Sequence, residues 1–458
     1  MDNCYYSDNT NESILQDFGY KQELKRALTV WDLIIYGLIF MVPIAPFGIY
    51  GYVVNISKGM VALAYAVGVI GMIFTAFSYA SLSEEFPIAG SVYSYASKGL
   101  NNLMGFFCGW LILLDYILVP ALLYVVSGAA LNGIFPNINI IVWAITFIAI
   151  NTVINILGIE ITAKFNKIVL LFEIIVLFIF IVTGTVAILH GIDGAKLSFK
   201  AFYDSQSFNL NVVMGATSIA VLSFLGFDGI STLAEETKGH RKTVGHATVL
   251  ALIVAGILFI LQTWVASMIW PDYRTFTNLD IAFYDVANRA GGKLLMLLTS
   301  IATAFAWGIA NSLAAQAAVS RVLFSMGRDK NLPKVLAKVH KKYKTPYIAI
   351  IFIAILSAII VIIYKNKIAE LTSIVNFGAL TSFLILHITV IVFFILKKHS
   401  KNIVKHLIFP STGFLVIFYV WINLNRQSKI FGTIWTIIGI LYYTCLKIFN
   451  KSIKKIEA

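Results

Sequence analysis

The sequence predicts an all-α polytopic membrane protein with about twelve transmembrane helices. Three observations carry this. Hydrophobic residues make up 59% of the 458 and charged residues 12%, about half the charged share of an ordinary soluble domain. Mean hydropathy is +0.85. The apolar residues run continuously over membrane-crossing lengths instead of alternating as in a β-barrel strand.

Residues 1–26 read as a polar tail ending in Lys21, Lys25 and Arg26, with no signal-peptide pattern. The first span covers about 28–54. Pro43 and Pro46 interrupt it and remove two helix donors, so it is expected to break around Met41, Val42, Pro43, Ile44 and Ala45. The second covers about 60–83 and continues, kinked, through a tyrosine-rich stretch to Gly99. The third (about 103–131) carries Asp115, the fourth covers about 138–157, and the fifth (about 164–189) carries Glu173. After a polar loop comes the sixth span, GATSIAVLSFLGFDGISTLAEE, from Gly215 to Glu236. Gly226 and Gly229 flank Asp228 near its middle, so this helix too is expected to open and free backbone groups for a ligand. Six further spans follow, at about 247–270, 294–326, 347–364, 371–396, 407–424 and 431–449.

The net charge of +13 follows from topology. With both termini placed in the cytoplasm, the inner loops and tails hold 25 of the 35 Lys and Arg residues, as the positive-inside rule requires. Nucleic acid is therefore excluded as the reason for the charge, and anionic lipid of the bilayer is the expected partner of the basic surface. Every Lys and Arg can be placed near a membrane edge. Asp115, Glu173 and Asp228 cannot, so the charge inside the membrane is negative. Ionisable groups at that depth are costly and mark functional sites. Cys4, Cys108 and Cys445 are far apart and form neither a disulfide framework nor a metal pattern. No nucleophile–base pair or cofactor loop stands out, so no enzyme, metal or cofactor is expected.

Two interrupted spans about five helices apart point to inverted repeats with a site between them. Three stretches then resemble the amino acid–polyamine–organocation permease superfamily: SLSEEFPIAGSVYSYASKGL (Ser81 to Leu100), SFLGFDGISTLAEETKGHRK (Ser223 to Lys242) and SRVLFSMGRDKNLPKVLAKVHKKYKTP (Ser320 to Pro346). Where relatives carry Asn-Pro after the sixth helix, this chain has Gly239-His240. The first and third spans look like the putrescine importer branch.

The resemblance implies a leucine transporter-like fold: a first five-helix repeat over 27–190, an extracellular loop over 191–211, a second repeat over 212–396, and two extra helices with a short cytoplasmic tail over 397–458. It implies substrate at the breaks of helices one and six, alternating access, and coupling to H+ or Na+. The expected substrate-binding residues are Met41, Val42, Pro43, Ile44, Ala45, Asp115, Ser223, Phe224, Gly226 and Asp228. Glu173 stands where several relatives carry a lysine, thought to stand in for bound sodium. It is the expected ion-coupling group, although the lysine-based account of coupling does not transfer. Asp115 and Glu173, if both face the cavity, would suit the two ends of a diamine, which would relieve the cost of two unpaired carboxylates. The prolines of the first span replace a small, glycine-rich signature, which favours an amine without a carboxylate.

Tyr93, Tyr95 and Trp307 are candidate gates, with Phe224 as a cation–π partner. Glu84, Glu85, Glu235 and Glu236, near cytoplasmic helix ends, are expected to pair with loop cations such as Arg321 and Arg328 and lock the inner gate. His387 is a candidate proton relay, and Asn311 and Ser312 candidate ion ligands. Each has a plainer reading: a packing aromatic, a helix lock, a hydrogen-bonded core residue, a simple proline kink.

The leading function is an ion-coupled importer of putrescine or a related polyamine in the cell membrane, with the proton as the expected coupling ion. The rival is a permease of the same fold for neutral or cationic amino acids; a non-transporting membrane sensor is more distant.

Overall fold

The computed structural model describes residues 24–456, apart from 89–90, 135–136, 239, 241, 280, 366–367 and 425. Most of the N-terminal tail, and Gly239, lie outside the described residues. Among these residues ten helices are long and apolar enough to cross a membrane, and a bent pair makes an eleventh. The C-terminal helix Arg426–Ile456, 31 residues long, stands where a twelfth is expected.

The first span is that bent pair. Val30–Met41 begins at a capping box in which Thr29 and Asp32 satisfy each other's backbone amides. It stops at Val42, and Pro46–Ile56 leaves at 54°. Val42 has φ of 56°, sparsely populated for a β-branched residue. Such strain persists only where the surroundings fix it.

The sixth span breaks at its glycines. Leu210–Ala220 tightens into a 3₁₀ turn, Val221–Phe224, then Leu225 is extended and Gly226 has φ of 109°. Phe227–Glu236 continues as a 3₁₀ helix. The two breaks interlock. A Cβ built on Gly226 would lie 2.6 Å from the Phe40 ring, and one on Gly229 would lie 2.4 Å from it. Both glycines make room for the side chain that precedes the first break.

The second span, Val61–Glu85, does not run on as a kinked helix. Pro87 disfavours helical backbone at Phe86, which has φ −123° and ψ 80°. The tyrosine-rich stretch forms its own helix, Ser91–Gly99. The third (Asn102–Ile134), fourth (Ile140–Leu157), fifth (Ile159–Leu189) and seventh (Lys242–Ile269) spans are continuous helices. Gly291 and Gly292 bend the run Ala282–Phe305, separating a short loop helix from the eighth span. One π turn, Ala306–Asn311, then precedes Ser312–Arg328. The ninth and tenth spans are Tyr347–Tyr364 and Ile368–Val390.

Close backbone approach holds the spans together where lipid supplies no hydrophobic drive. On the tenth span, a Cβ at Gly378 would lie 2.4 Å from the Leu111 carbonyl oxygen and 3.2 Å from the Asp115 amide nitrogen. The C-terminal helix is stapled to the third span by a reciprocal pair: the Trp110 indole donates to the Trp435 carbonyl at 2.8 Å, and Trp435 donates to the Trp110 carbonyl at 2.6 Å. The rings stack at 4.7 Å.

Gly378→Ala places a methyl group against backbone that cannot yield. It is expected to cost about 1–3 kcal/mol, read as a lowered thermal unfolding midpoint in detergent.

Candidate functional site

A cavity of about 60 Å³ opens where the two breaks meet, room for several waters by the usual probe measure. The first span supplies Phe40, Met41, Ala45 and Ile49; the sixth supplies Leu222, Ser223, Leu225 and Gly226. The third contributes Asp115, Tyr116, Val119, Leu122 and Leu123, and the π turn of the eighth contributes Trp307 and Asn311. No Lys, Arg or His is among these residues.

Asp115 lines the cavity, is buried, and its Oδ1 accepts no hydrogen bond. Asp228 stands behind the wall, where its Oδ2 accepts from the Tyr116 hydroxyl and, at 3.5 Å, from Ser91 Oγ. Ser91 in turn meets the Tyr79 hydroxyl at 3.2 Å. Tyr116 stands between the two acids: it follows Asp115 in the chain and donates its hydroxyl proton to Asp228. Tyr116, adjacent to Asp115 in the chain, thus joins one acid to the cavity surface. The free acceptor of Asp115, the Asn311 Oδ1, which also lacks a partner, and the Trp307 ring offer electron-rich groups to a ligand.

Of the other expected binding residues, Met41, Ala45, Ser223 and Gly226 line this cavity. Val42, Pro43 and Ile44 are buried in the break, and Phe224 packs on Tyr65 and Phe259 instead. Glu173 is buried outside the lining, and neither carboxylate oxygen has a hydrogen-bond partner in the protein. Asp115 and Glu173 therefore do not face each other across this cavity, and Asp228 is linked to its wall through Tyr116. Ser312 donates to the Gly308 carbonyl at 2.7 Å. His387 is a core histidine held by Thr75 and Ser78 at 3.2 and 2.9 Å, away from the lining.

The candidate gating residues fall into two groups. Trp307 is at the cavity, its ring against Gly48. Tyr95 is buried against Tyr79. Tyr93, Glu235 and Glu236 belong to a cluster at the end of the molecule where the chain enters the first span. Glu236 pairs with buried Arg321, and Glu235 is held in a fork by Arg328 at 3.0 and 3.1 Å. Tyr93 donates to Asp329 at 2.5 Å and accepts from Asn331 at 2.8 Å. The segment before the first span is tied to the same place, because the amides of Ala27 and Leu28 both donate to the Glu236 carbonyl. Glu84 and Glu85 pair with loop cations as expected, though with lysines and not with Arg321 or Arg328: Lys405 and Lys242 at 3.4 and 3.6 Å for Glu84, Lys398 at 2.5 Å for Glu85. The end of the second span faces the loops beside the seventh and eleventh spans, out of reach of Arg321.

No local pattern marks the π turn, Phe40 between the glycines, or Ser91 behind Asp228. Tyr116 had a signal in its position beside Asp115.

Comparison with known proteins agrees with this architecture. The family model described as amino acid permease matches residues 33–446. The low-affinity putrescine importer PlaP of Escherichia coli is 31% identical over 445 residues, covering 95% of this chain and 97% of the relative. The branched-chain amino acid permease BcaP and the methylthioribose transporter of Bacillus subtilis are each 26% identical, each covering 92% of this chain and 93% of the relative. With a family match over most of its length and relatives that are transporters, this chain of membrane-spanning helices belongs to the amino acid permease family of the amino acid–polyamine–organocation superfamily.

Proposed function

We propose that the chain imports a small organic cation, putrescine or a related polyamine, by ion-coupled alternating access in the cell membrane, with both termini cytoplasmic. The observation that supports this most is the sign of the cavity. Asp115 lines it, Asp228 backs it through Tyr116, and no basic residue faces it. Two buried carboxyls without a counter-cation are costly in a low-dielectric site, and a bound cation offsets that cost. One ammonium group would sit at Asp115. The Trp307 face and Asn311 would hold the rest of the ligand. The name of the Escherichia coli relative points the same way.

In this reading the two five-helix repeats, 27–190 and 212–396, move against each other. Glu173 is the proton-loading group, since it is buried without a protein partner and is separate from the substrate cavity. The pairs Glu236–Arg321 and Glu235–Arg328, with Tyr93–Asp329, lock the cytoplasmic side, and Trp307 gates the cavity.

A second reading is an amino acid permease of the same fold, favoured by the branched-chain permease among the relatives. Purified protein in proteoliposomes distinguishes them. Radiolabelled putrescine should enter and saturate, and leucine and lysine should fail to compete; exclusion of putrescine with entry of an amino acid selects the second reading.

Uptake measured from pH 5 to 9 should lose its pH dependence in Glu173→Gln. In Asp115→Asn it should keep that dependence while substrate affinity falls about tenfold or more, the scale of one lost charge-assisted bond. Arg321→Ala leaves the Glu236 carboxylate buried and unpaired, a cost of about 3–5 kcal/mol. It should open the inner side, seen as faster labelling of a cavity cysteine from that face.

A further inference from the structure

The first span is interrupted inside the membrane, so its carbonyl groups lose their helical donors where no lipid can replace them. Pro43 shows how this is managed. In a continuous helix its carbonyl would accept from the Phe47 amide, but that amide turns to Ile44 at 2.9 Å. The Pro43 oxygen instead accepts from Gln262 Nε2 at 2.9 Å. Gln262 sits on the seventh span, is buried, and also donates to the Leu258 carbonyl of its own helix at 2.9 Å. Its Oε1 has no partner.

That last fact bears on why the residue is there. The amide satisfies one orphaned acceptor and leaves another of its own, so its net contribution to stability is small. What it does supply is position. Pro43 lies between Met41 and Ala45, two residues away on either side, and both line the cavity. Val42, next to it, holds a φ that its side chain resists. A strained turn of this kind relaxes unless something fixes it.

We infer that Gln262 is the positioning residue of the first-span break. By holding the Pro43 carbonyl from the seventh span, it sets where Met41 and Ala45 present themselves to the ligand. It touches no ligand itself and is absent from the cavity wall. It is a polar side chain in the apolar run GILFILQTWVASMI, spanning residues 256–269, and such a residue marks function in a membrane helix.

The test has two arms, and only the second rests on the proposed substrate. In a chain with Cys4, Cys108 and Cys445 replaced by Ser, a single reporter, Met41→Cys or Ser223→Cys, is labelled with a small membrane-impermeant thiol reagent. Gln262→Met keeps length and volume but cannot donate. It should change the labelling rate at Met41→Cys at least threefold and leave Ser223→Cys, on the sixth-span side of the same cavity, within error. Gln262→Asn, which withdraws the amide by one methylene, should give the same differential if Gln262→Met fails to fold. Equal changes at both reporters, or none at either, would overturn the assignment. In proteoliposomes, Gln262→Met should raise the KM for putrescine at least fivefold with Vmax within twofold. A fall in Vmax at unchanged KM would also overturn it. If putrescine is not carried at all, the labelling arm stands unaffected.

Discussion

The structure depends on one constraint. A helix opened in the middle of a membrane exposes backbone donors and acceptors that water does not reach, each costing several kcal/mol unless paired. Two spans of this chain are opened at the same depth, and each break is completed by its surroundings. The Ala45 amide closes on Val42 at 2.8 Å, Gln262 takes the Pro43 carbonyl, and the hydroxyls of Ser231 and Thr232 take the carbonyls of Asp228 and Gly229 at 2.6 Å. Phe40 fills the space over Gly226 and Gly229. The first break draws a hydrogen-bond partner from another span, Gln262, whereas the second is closed by hydroxyls of its own segment.

Charge is arranged by the same economy. At the end where the chain enters the first span, acids meet bases: Glu236 with Arg321, Glu235 with Arg328, Asp32 with Lys167 at 2.6 Å. Deeper in, the acids meet none. Asp228 accepts from the hydroxyls of Tyr116 and Ser91, Asp115 has a free acceptor at the cavity, and Glu173 has no hydrogen-bond partner among the described residues. The paired ions satisfy one another, whereas the central acids keep the cost of burial without a counter-charge.

Much of this was legible in the residues. Two prolines three apart made the first break readable, because proline removes a donor wherever it stands. Gly-Phe-Asp-Gly made the second readable, because a carboxylate between glycines has no purpose in a plain lipid-facing helix. The acids of the third and fifth spans announced themselves by depth alone. What stayed hidden depends on contacts distant in sequence. Which acid faces the cavity is decided by helix rotation, so whether Glu173 would share it with Asp115 stayed open, and only Asp115 lines it. The π turn at Ala306–Asn311 carries no local signature: Asn151 of the fourth span reaches its Gly308 carbonyl at 3.2 Å and Ser312 Oγ at 2.8 Å. The separate helix at Ser91–Gly99 was the exception, since Pro87 should have marked its beginning.

The tryptophan pair that joins the third span to the C-terminal helix has a consequence for biogenesis. Its partners are 325 residues apart. At about 5–20 residues per second, the ribosome finishes the second indole roughly 15–65 s after the first. Through that interval the third span, with Asp115 and Tyr116 already on it, waits in the bilayer without the neighbour that later clasps it. The clasp between the two helices can therefore form only after the segment Arg426–Ile456 has been made.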